Sequence, residues 1–312
     1  MEPIVTLTIN PSVDVEWEVD ELVPERKLRS SPSLNFAGGG GINVARVIKT
    51  LGGMGICVFT AGKFTGQYLR ELVEHHGLLT RAIPIEGRTR VSPTIFETKS
   101  GAEYRITPPG PEVTETEWQE CLDATFEFES SYIVATGSLP QGVPVDFYAR
   151  VARRAKQEGR RVILDTSGDY LPATLEEGVY LVKPNRGELE RLLGREAKTE
   201  ADLASMSSEL IETGKTEVVA VSLGGDGAFL AWKGGTKILR TPEVEVKSAV
   251  GAGDSFVGGM TIGLARGLSM EQSFTLGVAA GTATVLTAGT ALCLREDVER
   301  LYRELSGHEL SF

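Results

Sequence analysis

The strongest constraint on the fold is the alternation of short apolar runs with longer amphipathic stretches along the chain. Runs such as Ile4–Thr8 and Arg161–Asp165 are rich in Val and Ile and are closed by turn-forming residues, as β-strands are. The stretches between the runs carry apolar residues three and four positions apart, which is the spacing of one helix face. This alternation predicts an α/β fold with a mainly parallel central sheet.

The predicted strands share this Val-, Ile- or aromatic-rich composition, and they are Ile4–Thr8, Ile56–Ala61, Tyr132–Thr136, Arg161–Asp165, Tyr180–Val182, Glu217–Ser222 and Gly227–Trp232. The predicted helices share the helical spacing, and they are Ile42–Leu51, Gly66–His76, Thr114–Phe128, Val145–Glu158, Arg186–Gly194, Ala201–Thr213, Asp254–Gly267 and Met270–Leu286. Because no linker, repeat or block of charge divides the chain, we predict one domain over residues 1–312.

Two segments interrupt the alternation. Val13–Val19 alternates in polarity directly after the first strand, and Ser92–Lys99 with Ala102–Thr107 predicts a hairpin turned at Ser100–Gly101. Together they predict a small antiparallel β lid in two pieces, approximately residues 13–32 and 89–107. A few strands alone bury too little surface to be stable, so the lid should pack against the main domain, a partner chain, or both.

Composition excludes several function classes. The 312 residues carry a net charge of −11, which repels nucleic acid and anionic membrane surfaces, so we expect neither as a partner. Gln272–Leu294 is uncharged and long enough to cross a bilayer, but its Thr and Gly content favours a helix plus a strand in a protein core. Three distant cysteines and an N-terminus without an export signal predict a cytoplasmic protein.

The most informative motif is Val250–Phe256, in which Gly251, Ala252 and Gly253 lead into a helix. Backbone N–H groups at a helix start point at one spot and form an anion hole. Asp254, beside that hole, can act as a general base that accepts a hydroxyl proton as a phosphoryl group arrives. The alternative role for Asp254 is that of a helix cap.

A run of four glycines, Gly38–Gly41, leads into another helix. Because a turn needs only one or two glycines, close approach of the backbone to a polar ligand explains the run better. Asn43 can both donate to and accept from sugar hydroxyls, although a capping or solvent role is the alternative. The spacing fails the dinucleotide fingerprint, and the chain contains no P-loop motif.

Two further motifs follow predicted strands. Lys183–Glu188 offers a cation, an amide and a carboxylate at the carboxyl end of a strand, a set that suits a nucleotide phosphate with magnesium. Glu188 could equally favour a helix N-terminus. Ser222–Ala228 is a glycine-rich turn, which is either a simple hairpin or a ligand loop.

Taken together and in this order, the motifs resemble those of the PfkB, or ribokinase-like, family of carbohydrate kinases. The resemblance covers essentially the whole chain, and its motifs are Thr8–Asp14, Gly38–Arg46, Gly137–Pro140, Lys183–Asn185, Ser222–Gly224 and Gly251–Asp254. It implies a three-layer ribokinase-like sandwich with an inserted lid. The opening motif and Gly137–Pro140 look like those of the phosphofructokinase branch, which implies a phosphosugar substrate.

The resemblance implies a role for each matching residue. Asp254 is the implied base, and Gly251, Ala252 and Gly253 the implied anion hole. The implied sugar contacts are Asp14, Gly39, Gly40 and Asn43, and those around the existing phosphate are Lys27, Arg90 and Ser138. Near ATP the resemblance implies Lys183, Asn185, Ser222, Gly224 and Gly227, with Thr282 beside adenine and Glu188 on Mg²⁺ through water.

Lys27 and Arg90 lie at the edges of the predicted lid, where closure would bring cations onto a phosphate. Solvated surface positions are the alternative for both. The resemblance also implies a K⁺ site at the carbonyls of Ser248 and Val250, but the later loop Thr287–Ala291 contains no carboxylate and leaves that site open.

Gly39–Gly41 lacks the lysine that fructose-1-phosphate and tagatose-6-phosphate kinases tend to carry there, so the resemblance implies fructose 6-phosphate as the acceptor and ATP as the donor. The alternatives are 1-phosphofructokinase or tagatose-6-phosphate kinase activity and, from other classes, a nicotinamide-dependent oxidoreductase or a non-catalytic sugar-binding protein. We also expect a homodimer formed through the lid.

Overall fold

A computed structural model describes residues 2–289 and 291–310. The strands are β1 (Ile4–Thr8), β2 (Ser12–Val19), β3 (Leu34–Gly38), β4 (Gly55–Gly62), β5 (Leu79–Ile85), β6 (Arg90–Glu97), β7 (Ala102–Arg105), β8 (Tyr132–Thr136), β9 (Arg161–Asp165), β10 (Val179–Val182), β11 (Thr216–Ser222), β12 (Ala228–Trp232) and β13 (Gly235–Leu239). The helices are α1 (Gly40–Thr50), α2 (Lys63–His75), α3 (Glu115–Thr125), α4 (Phe147–Gln157), α5 (Tyr170–Leu175), α6 (Arg186–Leu193), α7 (Glu200–Glu212), α8 (Ala252–Ala265), α9 (Met270–Val285) and α10 (Arg295–Ser306).

The main sheet has nine strands in the order β13-β12-β11-β10-β9-β8-β1-β4-β5. Its seven strands from β5 to β11 are parallel, and β12 and β13 add antiparallel strands at one edge. The predicted α/β class with a mainly parallel sheet is therefore confirmed. Polar loops at the carboxyl ends of the parallel strands meet at one edge of the sheet, which is where such sheets bind ligands.

Helices cover both faces of the sheet because successive strand residues point to opposite sides. In β1, Val5 and Leu7 belong to the core that contains Trp118 of α3 and Tyr148 of α4. Ile4 belongs to the opposite core, together with residues of α1, α8, α9 and α10. The result is a three-layer α/β/α sandwich, as expected.

The uncharged stretch Gln272–Leu294 lies largely inside α9, which packs against α8 in the second core. A Cβ on Gly259 would lie 2.7 Å from the carbonyl oxygen of Leu276, so the two helices need glycine to approach this closely. The predicted strand after the helix is wrong within the described residues, where no strand lies between α9 and Leu294. No helix in the described part of the chain is both long and apolar enough to cross a membrane.

A second sheet, with the order β3-β2-β6-β7, forms the lid. Its two outer pairings are antiparallel, and β6 and β7 form the expected hairpin. The central pairing of β2 with β6 is parallel, which differs from the expectation. The reason is that β2 and β6 follow β1 and β5, which run parallel in the main sheet, so both leave that sheet in the same direction. The strand β3 also lies beyond residue 32, outside the first predicted lid segment.

Candidate active site

Loops at the carboxyl ends of the central strands enclose a cavity of about 330 Å³. Its lining contains predicted site residues from five separate segments, namely Asp14, Gly39, Gly40, Asn43, Ser138, Glu188, Val250, Gly251 and Asp254. It also contains residues that the sequence analysis did not assign to a site, among them Arg105, Thr136 and Asp165. The fold therefore brings distant motifs of the sequence to one place.

Asp254 lies in the first turn of α8, whose N-cap is Gly251 in the left-handed region at φ 74°. A residue with a side chain is strained in that conformation, which explains glycine there. Because Gly251 occupies the cap position, the alternative role of Asp254 as the cap residue is wrong. The carboxylate instead accepts a hydrogen bond from Asn43, with 2.9 Å between Nδ2 and Oδ2.

Burial raises the pKa of Asp254 to about 6, and the nearby carboxylate of Asp165 adds to the increase. The hydrogen bond from Asn43 and the charge of Lys183 oppose it. A carboxylate with this pKa is mostly deprotonated near neutral pH and is a better proton acceptor than an ordinary aspartate. The site therefore contains a base suited to a hydroxyl group.

Each glycine of the run Gly38–Gly41 is packed against the chain itself. A Cβ on Gly38 would overlap the carboxylate of Asp14, and one on Gly40 would overlap the hydroxyl of Thr136 and lie 3.0 Å from Asp254 Oδ1. Gly39 has φ 130°, which disfavours any side chain. Packing within the chain therefore accounts for the glycines, because the absence of side chains lets the N-terminus of α1 approach both the lid and Asp254.

The lid contributes charged groups to one end of the cavity. Asp14 of β2 accepts a hydrogen bond of 2.6 Å from Ser12. Burial raises the pKa of Asp14, while the hydrogen bond from Ser12 and the nearby cations Arg90, Arg105 and Arg46 act against it. Asp14 therefore lies among three arginines.

The two lid arginines differ in their contacts. Arg90 donates to the carbonyl oxygens of Asn10, at 2.9 Å, and Pro108, at 3.1 Å, so it also holds the two segments that flank the lid. Its Nε is buried and has no hydrogen-bond partner among the described residues. Arg105 lines the cavity and has one ion-pair contact, with Glu103 at 3.7 Å.

Lys183 follows β10 and pairs with Asp165 at the end of β9, with 3.1 Å between Nζ and Oδ1. Burial acts against the charged ammonium, but Asp165, Glu188 and Asp254 together hold the pKa of Lys183 above its usual value. A Cβ on Gly253 would lie 3.6 Å from the ammonium, so the cation lies beside the N-terminus of α8. The cation and the helix N-terminus both favour an anion at this point.

Asn185 and Glu188 form a capping box at the start of α6, in which each side chain accepts from the other's backbone N–H at 2.8 Å. The alternative structural role of Glu188 is thus present, and its carboxylate also lines the cavity. The described residues contain no group of three or more metal-ligating side chains. Glu188 and Asp165 offer the hard oxygen ligands that Mg²⁺ prefers, and phosphate oxygens of a nucleotide would complete its coordination.

The remaining predicted residues lie outside this cavity. Lys27 is exposed in the loop between β2 and β3, and Thr282 is buried in α9, where its hydroxyl donates to the carbonyl of Val278.

Ser222, Gly224 and Gly227 lie at the turn between β11 and β12, next to Asn185. Of the predicted anion-hole residues, Ala252 and Gly253 lie in the first turn of α8, directly after the N-cap Gly251. Ser248 accepts from the N–H of Val250 at 3.2 Å, and Thr290 of the later loop lies outside the described residues.

Three of the missed residues had a visible signal. Asp165 and Thr136 each end a strand that the sequence predicted correctly, and ligand sites form at such ends. Arg105 lies in a predicted lid strand, on the same face as Glu103. The packing of Thr136 against Gly40 is visible only in the structure.

Comparison with known proteins gives consistent matches over nearly the whole chain. The family model described as pfkB family carbohydrate kinase matches residues 8–297. The ATP-dependent 6-phosphofructokinase isozyme 2 of Mycobacterium tuberculosis is 42% identical over 96% of this chain and 88% of its own length. The 1-phosphofructokinase of Bacillus subtilis is 32% identical over 97% of this chain and 98% of its own length.

The crystal structure of phosphofructokinase-2 from Escherichia coli in complex with fructose-6-phosphate superposes with a TM-score of 0.93 and 37% identity, over 98% of this chain and all of that one. The ribokinase-like fold implied by the sequence motifs is thereby confirmed. The chain belongs to the pfkB family of carbohydrate kinases.

Proposed function

We propose that this kinase transfers the γ-phosphoryl group of ATP to the C1 hydroxyl of fructose 6-phosphate, giving fructose 1,6-bisphosphate and ADP. The observation that carries the proposal is a cavity whose lining contains both Asp254, at a helix N-terminus, and Arg105 of the lid. The carboxylate can accept the proton of the reacting hydroxyl, and the helix N-terminus can bind the phosphoryl group that arrives there. A lid cation can bind a phosphate already on the sugar. The similarity to the 6-phosphofructokinase of M. tuberculosis supports the same substrate.

In this proposal Asp254 accepts the proton of the C1 hydroxyl while the hydroxyl oxygen bonds to the γ-phosphorus. The bond from that phosphorus to the bridging oxygen breaks, and ADP leaves. Backbone N–H groups of the segment Gly251–Gly253 stabilise the charge on the transferred group, since a preorganised helix N-terminus favours an anion. Asp14, Gly39, Gly40 and Asn43 hold the sugar hydroxyls.

The phosphate of the acceptor lies at the lid in this proposal. Arg105 lines the cavity there and has the freer side chain, whereas Arg90 already donates to two backbone carbonyls. The buried Nε–H of Arg90 has no partner among the described residues and can still donate. Ser138, which accepts a hydrogen bond from Asn10 at 3.1 Å, adds a hydroxyl, and Lys27 would join only when its loop or a partner chain brings it near.

On the donor side we propose that Lys183 binds a nucleotide phosphate beside α8. Asn185, Ser222, Gly224 and Gly227 are contiguous in the structure and form the proposed ATP surface, with Thr282 near adenine. Glu188 and Asp165 would hold Mg²⁺, which neutralises phosphate charge when bound. A K⁺ ion at the carbonyls of Ser248 and Val250 remains part of the proposal.

The proposed dimer uses the lid. Exposed apolar side chains lie on three of its strands and on two adjoining loops, and these are Leu28, Leu34, Phe96, Tyr104 and Ile106. Such a surface on a small sheet is better covered by a second copy than left in water. We also propose that residues 1–312 act as one kinase domain with a lid that extends the predicted segments 13–32 and 89–107 by the strand β3. A cytoplasmic location fits the three free buried cysteines.

The second candidate is phosphorylation of fructose 1-phosphate, which the similarity to the B. subtilis 1-phosphofructokinase supports. One experiment separates the two. Purified protein is assayed for ADP release with ATP, Mg²⁺ and, in turn, fructose 6-phosphate, fructose 1-phosphate, tagatose 6-phosphate and fructose. The proposal expects the highest kcat/KM with fructose 6-phosphate. A higher value with fructose 1-phosphate or tagatose 6-phosphate would replace the substrate assignment.

A further inference from the structure

Arg46 lies one helical turn beyond Asn43 on α1 and contacts it through the side chain. Its Nη1 donates to the side-chain oxygen of Asn43 at 3.2 Å. The amide nitrogen of the same side chain donates to Asp254 at 2.9 Å. The three side chains therefore form a continuous line of hydrogen bonds from a guanidinium to the proposed base.

The order of the groups in this line is fixed by their chemistry. A guanidinium can only donate hydrogen bonds and a carboxylate can only accept them, whereas a primary amide has one end of each kind. The amide of Asn43 can thus join Arg46 and Asp254 in one orientation only, with its oxygen toward the cation and its NH₂ toward the carboxylate. The opposite orientation would face oxygen with oxygen at Asp254.

The surroundings of Arg46 favour a fixed position. The carboxylates of Asp14, in the lid, and Asp254, in α8, interact with its charge, and the buried thiols of Cys57 in β4 and Cys293 before α10 lie nearby. Asn43 lines the cavity, whereas Arg46 does not. Arg46 can therefore act on the reaction only indirectly, through its hydrogen bond to Asn43 or through its charge on Asp14 and Asp254.

We propose that Arg46 is a positioning residue that sets the orientation of the Asn43 amide and, through it, of the Asp254 carboxylate. The inference rests on the proposed role of Asp254 as the base. Removal of the guanidinium would remove one of the two contacts that orient the amide, and the weakened hold on the amide would loosen the contact that aims Asp254 at the hydroxyl. Small displacements of a reacting group reduce rates strongly.

The test is a double-mutant cycle on the full chain, with Arg46→Met, Asn43→Ala and the double variant. Arg46→Met should lower kcat by about tenfold or more while the KM for ATP stays within about twofold. In the Asn43→Ala background the same substitution should change kcat by less than about twofold, because the intermediary is gone. Equal losses in the two backgrounds would overturn the proposal, since a purely structural role acts in both.

Lys49→Met is the matched control, because Lys49 lies on the same helix and donates to the backbone of His76 and Gly77. Lys49→Met should leave kcat unchanged. The melting temperature of Arg46→Met should lie within a few degrees of that of Lys49→Met. A crystal structure of Arg46→Met gives a readout independent of activity. The proposal expects the Asn43 side chain to leave Asp254, and an unchanged contact would overturn it.

All variants are assayed with the phosphosugar that the wild type uses best. If the wild type prefers another sugar, the proposed substrate changes. The effect of Asn43→Ala on the kcat loss caused by Arg46→Met can still be measured with that sugar. The two proposals therefore fail separately.

Discussion

The ammonium of Lys183 and the carboxylate of Asp165 form an ion pair of 3.1 Å that joins the carboxyl ends of β10 and β9 beside the cavity. Both side chains are largely buried, with exposed fractions of 7% and 18%. Glu188 and Asp254 also act on the charge of Lys183. One cation thus balances three carboxylates, and the ionisation of Asp254 depends on how the other charges are arranged.

Asp165→Asn should therefore change both stability and pH dependence. Without the carboxylate of Asp165, the buried positive charge of Lys183 is less well balanced by negative charge. This should lower the free energy of unfolding by about 1–3 kcal/mol. The carboxylate of Asp165 raises the pKa of Asp254, so its removal should move the acidic limb of kcat to lower pH. Denaturant unfolding and a pH–rate profile measure the two effects. Asp169→Asn, at an exposed site nearby, is the control, and an acidic limb that moves to higher pH would contradict the account.

Asp254→Asn should stabilise the folded protein at alkaline pH. The pKa of Asp254 in the folded state, about 6, lies above the ordinary 3.8, so the folded state holds this proton more tightly than the unfolded state. The resulting contribution to stability is fully present below pH 4 and is lost as the pH rises through 6. At pH 8 the variant should be more stable than the wild type by roughly 1–3 kcal/mol, and the difference should shrink toward pH 4. Thermal unfolding at the two pH values tests this. A variant less stable than the wild type at pH 8 would show that the buried charge is fully compensated.

Arg105→Ala should weaken use of a phosphosugar much more than use of fructose. A charge-assisted hydrogen bond to phosphate is worth about 1.5–3 kcal/mol, so kcat/KM for fructose 6-phosphate should fall by tens- to hundredfold. Unphosphorylated fructose offers no phosphate and should be affected by only a few-fold. Comparable losses on both sugars would remove Arg105 from the phosphate site.

Arg90→Ala should behave differently from Arg105→Ala, because Arg90 also holds the backbone at Asn10 and Pro108. We expect it to reduce kcat/KM for fructose 6-phosphate by tens- to hundredfold and, in addition, to lower the melting temperature. If Arg90→Ala leaves the melting temperature unchanged, its backbone hydrogen bonds contribute little to the lid.

Gly40→Ala should impair catalysis through a steric overlap. The added methyl group would meet the hydroxyl of Thr136 and lie 3.0 Å from Asp254 Oδ1, so the base would be displaced. We expect kcat to fall by at least about tenfold. The double variant Gly40→Ala with Thr136→Ala should regain part of the loss. No recovery in the double variant would point to the contact with Asp254 as the cause.

The sequence predicted the interior of the fold better than its edges. Strands such as Ile4–Thr8 and Tyr132–Thr136 were predicted at their observed bounds because they are buried and rich in β-branched or aromatic residues. The strand Leu79–Ile85 was missed because Pro84 argues against a strand, and it occurs here at the sheet edge, where proline is tolerated. The other missed elements are short, polar or interrupted by proline, namely β3, β13, α5 and α10.

The site was predictable where one motif supplies both backbone geometry and chemistry. Gly251 and Asp254 are of this kind, and so is Asn43. Arg46, Thr136 and Asp165 act through contacts between segments far apart in the chain, such as Asp165 with Lys183 or Arg46 with the neighbours of α1. Periodicity and spacing within one segment carry no information on such contacts, so the partners of these residues emerge only from the fold, although the strand ends at Thr136 and Asp165 were predicted.

The central claim is that phosphoryl transfer goes from ATP to carbon 1 of fructose 6-phosphate with Asp254 as the base. Phosphorus NMR of a reaction mixture measures the transfer directly, with wild type and Asp254→Asn at equal concentration. The account predicts that wild type forms a bisphosphate with a new phosphate on carbon 1 together with one equivalent of ADP, and that Asp254→Asn forms it at least about 100-fold more slowly while still binding the sugar phosphate. A near-normal rate in Asp254→Asn, or no bisphosphate from wild type, would contradict it.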